Sequence, residues 1–130
     1  MENFNVNCKD VDELSILYLE GFLDAHTAPL LESEIQKLVD RDRYKLIVNF
    51  KDLNYISSAG LGVFMGFVET IRSNQGDIKM CCMPSKIFRV FDLLGFPSLY
   101  DIVDGEEEAV KLYRNSEAES SVKQNSSQKS

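Results

Sequence analysis

Ser57 and Ser58 stand where a strand-like run and its polar exit give way to an apolar helical pattern. A serine at a helix start faces backbone N–H groups without acceptors and the positive end of the helix dipole. Its hydroxyl can cap the helix, and a phosphate carried on it is electrostatically favoured there, so the residues alone leave both roles open. Asp24 and His26, in the loop expected over residues 21–26, are further candidates, and with Ser58 they could be imagined as a hydrolase triad. A nucleophile elbow, however, needs G-x-S-x-G, and here Ile56 precedes Ser57. Gly60, Gly62 and Gly66 miss the dinucleotide fingerprint by one residue; Gly62 and Gly66 fall inside an apolar helix pattern, which points to close helix packing. With no G-x-x-x-x-G-K-[ST] stretch, any ATP must be a partner's. His26 is the single histidine and Cys8, Cys81 and Cys82 lack ligand spacing, so neither a metal nor another cofactor is expected and the cysteines read as small core hydrophobes.

The elements that position these residues follow from periodicity. Residues 4–8 alternate as a short edge strand, and residues 10–13 make a polar turn. Residues 14–20 form a more central strand that Gly21 ends. Thr27 is placed to cap a helix that admits Pro29 in its first turn and runs to Asp40, with Leu31, Ile35, Leu38 and Val39 on one face. Residues 44–50 read as a buried strand and 51–56 as its exit. The next helix packs through Leu61, Phe64, Met65, Val68 and Ile71 and stops at Asn74–Gly76. A strand at 77–83 precedes a helix opened by Pro84 and Ser85, with Ile87, Val90, Phe91 and Leu94 inward and Gly95 as a left-handed cap. Residues 99–103 form a last strand. Asp104 then caps a helix to Tyr113, whose Glu106–Glu108 run reads as a solvated first turn near the positive end of the dipole.

The chain has 130 residues, 44% hydrophobic and 27% charged, which fits one globular domain over residues 1–113 followed by a disordered polar tail over 114–130. The expected class is α/β, a single domain with a mixed central sheet of four to five strands and about four helices. A formal charge of −7 without any Lys/Arg run disfavours nucleic acid. Apolar stretches too short to span a bilayer, and an N-terminus without a basic n-region, lead to the expectation of a cytoplasmic protein with no membrane insertion.

Three blocks carry a family resemblance. Residues 49–62, NFKDLNYISSAGLG, resemble the "(I/V)xDLxxxxxxSxGL" signature of the STAS domain, in particular of bacterial anti-sigma factor antagonists. Residues 20–28, EGFLDAHTA, are similar to the family's "GxLDxxTA" loop, and 88–96, FRVFDLLGF, to its "VxRxFxxxGL" helix. The blocks occur in family order, and the resemblance covers about residues 3–113. It implies a STAS fold and no enzymatic activity. It places the phosphoacceptor on Ser58, with Ser57 as runner-up where many members carry Asp. The implied partner surface contains Phe22, Asp24, Thr27, Ser57, Ala59, Gly60 and Leu61. Unphosphorylated, such a chain docks on a cognate anti-sigma serine kinase and frees the sigma factor; phosphate on Ser58 ends the interaction, and a PP2C-type phosphatase resets it. The alternative within the fold is a constitutive STAS subunit of a stressosome-like or lipid-transport complex.

Overall fold

A computed structural model describes residues 3–115. Five strands pair in chain order: β1 (Phe4–Val11), β2 (Leu14–Leu23), β3 (Lys45–Ile56), β4 (Asp77–Cys81) and β5 (Ile102–Val103). β1 runs antiparallel to β2 as a hairpin, and β2 to β5 are parallel. The parallel crossovers run through α1 (Ala28–Asp40), α2 (Ser58–Ser73) and α3 (Ser85–Leu93), the last followed by a 3-10 turn at Phe96–Ser98. Such crossovers are right-handed, and the sheet grows in one direction. All three helices therefore fall on one face. A fourth helix, α4 (residues 106–115), covers part of the other.

Two apolar clusters follow. The larger lies between the sheet and α1–α3 and includes Leu17, Leu23, Ile35, Phe50, Phe64 and Phe91; the smaller packs Ala109 and Tyr113 of α4 against Leu14, Ile16, Ile47 and Cys81. The Tyr113 hydroxyl lies 2.7 Å from the Leu46 carbonyl and 2.6 Å from that of Asp77, tying α4 across two strands. The expected mixed α/β sheet is present.

Several local expectations are corrected. Gly21 does not end β2: it takes φ +96°, bends the strand at a bulge and lets β2 continue to Leu23. A Cβ there would sit 1.7 Å from the Asn3 carbonyl oxygen, so only glycine admits the close approach of the chain leading into β1. β3 likewise runs on to Ile56, because residues 52–56 keep pairing with this extended β2. Met65 and Leu94 are exposed, whereas Val63 is buried. Gly62 and Gly66 face open space and are not packing glycines. The last strand has two residues in place of five, since Leu99 is exposed and Tyr100 turns into the core. Cys8 is exposed on the edge strand, unlike buried Cys81.

Glu106 is not a solvated first-turn residue. Its carboxylate accepts from the Tyr18 hydroxyl (3.1 Å) and the Asn49 amide (3.0 Å), fastening the start of α4 to β2 and β3. Burial, and then this hydrogen bond to a carboxylate, push the Tyr18 hydroxyl up to about 12. Of the polar tail expected over 114–130, Arg114 and Asn115 continue α4, and the remainder lies outside the described residues.

Candidate functional site

The carboxyl ends of β2 and β3 are adjacent, so the loop after β2 and the first turn of α2 meet at one edge of the sheet. The Ser57 N–H donates to the Leu23 carbonyl at 2.9 Å, joining the two segments directly. A Cβ on Gly60 would meet the Leu23 Cγ at 2.7 Å. Gly60 is thus the packing glycine of this region: it lets the first turn of α2 lie against the end of β2.

Within the loop, Asp24 organises the backbone. Its Oδ1 accepts from the N–H groups of His26 (2.9 Å) and Thr27 (3.1 Å), and its carbonyl accepts from the Ala28 N–H at 2.8 Å. Asp24 thus shapes the turn that leads into α1, and the cap expected of the Thr27 side chain is not made. Thr27 turns back: its hydroxyl donates to the Phe22 carbonyl (2.8 Å) and accepts from the Asp24 N–H (2.9 Å), and it makes no side-chain cap to α1. The side chain is 3% exposed, so Thr27 holds the loop in shape from beneath.

The two serines differ in access. Ser58 is the first residue of α2 and is exposed. Ser57 occupies the N-cap position with extended backbone, but its Oγ is buried, makes no cap hydrogen bond and has no hydrogen-bond partner among the described residues. Leu61 and Gly60 are buried and Ala59 is half-buried. Of the seven residues expected on the partner surface, Phe22 is exposed and Asp24, Ser57 and Ala59 are partly accessible. Thr27, Gly60 and Leu61 form the layer below.

The imagined triad is not assembled. Asp24 Oδ1 accepts from the His26 backbone, and among the described residues no hydrogen bond joins the His26 ring to Ser58. The sequence reading missed Tyr55. Its ring lies 6.2 Å from that of Phe22, and the two residues are 48% and 44% exposed. The available signal was the pairing of β2 with β3, which becomes visible only once both strands are seen to run past Gly21 and Phe50.

What this edge offers chemically is an accessible hydroxyl at a helix N-terminus, beside a carboxylate-ordered loop. Comparisons with known proteins agree with the fold. The STAS domain family model matches residues 5–109. The anti-sigma-B factor antagonist of Bacillus subtilis is 28% identical over 109 residues, covering 84% of this chain and 99% of that protein. Among solved structures, the unphosphorylated anti-sigma factor antagonist SpoIIAA aligns with a TM-score of 0.75 at 21% identity, covering 85% of this chain and 97% of the other. The phosphorylated form of the Bacillus cell fate determinant SpoIIAA aligns with a TM-score of 0.65 at 22% identity, covering 85% and 98%.

Proposed function

The chain belongs to the STAS domain family, and from that premise we propose that it is an anti-sigma factor antagonist switched by phosphorylation of Ser58. In this reading the unmodified chain binds an anti-sigma serine kinase through the start of α2 and the Asp24 loop, and the kinase releases its sigma factor. The observation that carries the choice of residue is the contrast in access: the Ser58 hydroxyl is open to a kinase, while the Ser57 Oγ is enclosed. That SpoIIAA was solved in both unphosphorylated and phosphorylated forms supports a phosphate-controlled role for this fold.

The physical basis is local charge. A phosphate adds about −1.5 to −2 charges at pH 7. The α2 N-terminus accommodates it within the chain itself, because the first N–H groups donate no hydrogen bond to the Ser57 side chain. A partner shaped to a neutral hydroxyl meets added bulk and a charge that must be stripped of water at the point of contact, and binding is lost. A PP2C-type phosphatase restores the hydroxyl.

The test is affinity capture from the native cells with Ser58→Ala and Ser58→Asp chains, together with phosphosite mapping of the unsubstituted chain. Ser58→Ala is expected to retain a histidine-kinase-like ATPase, and Ser58→Asp to bind it at least about tenfold more weakly. Equal retention by both variants, or phosphate on Ser57 in place of Ser58, overturns the reading. Co-purification of the unmodified chain with a transporter instead identifies a constitutive subunit.

A further inference from the structure

Beyond Asn49 the sheet narrows: β4 ends at Cys81, opposite Asn49, and the rest of β3 pairs with β2 alone. On this projecting ribbon Leu23, Leu53 and Ile56 turn into the core under α1–α3. Their neighbours Phe22 and Tyr55, paired in register, point to the opposite face. α4 does not reach them; its apolar contacts on that face are with Leu14, Ile16, Ile47 and Cys81. Two large rings are thus left side by side in solvent. Exposed aromatic pairs of this kind are uncommon on a surface unless something covers them.

Around the pair the charge is one-sided. Glu20 and Asp52 are exposed and Asp24 is half-buried, and none forms an ion pair among the described residues; Lys51 is the one cation in the same stretch of ribbon. The position relative to Ser58 decides the occupant. Tyr55 precedes Ser58 by three residues, so their Cα atoms are at most about 11 Å apart. A specific protein interface covers roughly 800 Å² on each side, a patch about 30 Å across. An interface centred on Ser58 is thus large enough to cover the aromatic pair as well.

We infer that Phe22 and Tyr55 are the apolar anchor of the surface that receives the Ser58-directed kinase, and that the kinase meets them with an apolar socket ringed by Lys or Arg. The inference rests on the functional reading above and adds a place and a chemistry for the contact. The aromatic rings contribute the buried centre of the interface, where binding energy concentrates. The carboxylates of Glu20, Asp24 and Asp52 set the charge of its rim.

The experiment is steady-state phosphorylation of Ser58 by the co-purified kinase, with the full-length chain as varied substrate. Phe22→Ala and Tyr55→Ala are each expected to raise KM about tenfold at unchanged kcat, while Tyr55→Phe stays within about twofold of the parent. Tyr55→Lys, which keeps an aliphatic stem but opposes a basic rim, is expected to exceed the alanine effect, and KM of the parent chain is expected to rise with salt. Thermal melts of the variants should match the parent, because both rings are already about half in solvent. Normal phosphorylation with unchanged KM in both alanine variants overturns the anchor and leaves the function standing. No phosphorylation of the parent chain overturns the function and the anchor together.

Discussion

Ser57 illustrates how little a residue's type says without its surroundings. A serine at an N-cap ordinarily contributes about 1 kcal/mol by accepting from the first free N–H groups. Here the Oγ is buried and makes no such bond. Ser57→Ala removes an unsatisfied hydroxyl and leaves the backbone bonds of residue 57 to Leu23 and Leu61 in place. The expected change in unfolding free energy by denaturant titration is therefore below about 0.5 kcal/mol, in contrast to an ordinary cap deletion. Residue type and motif placed Ser58 and Asp24 at the helix start and the loop, and the structure brings those segments together. What type could not convey is orientation. That Thr27 faces inward and Asp24 orders the loop depends on which side chain the turn aims at which N–H, a matter of ångströms rather than spacing.

α2 shows the same limit for an element. Its apolar period was legible, since Leu61, Phe64 and Ile71 are buried as expected, yet Met65 is exposed and Val63 takes a buried place. A helix between two neighbours on a sheet packs over an arc set by them, and the stripe alone does not fix that arc. Its glycines were misread for a related reason: Gly60, at the contact with Leu23, needs to be small, and Gly62 does not. Gly62→Ala should raise stability by about 0.5–1 kcal/mol in denaturant titration, with no change in fold. The lengths of β2 and β3 were underestimated because a glycine and a run of polar residues look like stops. A bulge and a two-stranded ribbon with one wet face accommodate both.

At the scale of the whole molecule, the class, the mixed sheet and the order of elements were legible, because periodic segments and their stop signals are local. The attachment of α4 was not, because it depends on partners far apart in sequence. Glu106 joins Tyr18 and Asn49, and Tyr113 reaches Leu46 and Asp77. This attachment has a pH signature. Tyr18 ionises at 10.0 in an unstructured chain and at about 12 in the fold, so its stabilising contribution is complete below pH 10 and is lost as pH rises through about 12. Glu106→Gln removes the neighbouring charge, and the Tyr18 midpoint followed by tyrosinate absorbance should fall toward 10.0. An unchanged midpoint would mean that burial alone holds the proton.

The strands pair in the order in which they are synthesised. Each strand leaving the ribosome meets a neighbour that is already complete, and no gap has to be held open for a later arrival. α4 departs from this rule, since its contacts reach back to β2 and β3. During translation, the face formed by Ile16, Ile47 and Cys81 therefore stays bare until α4 has emerged, and the last helix among the described residues closes a surface laid down near the start.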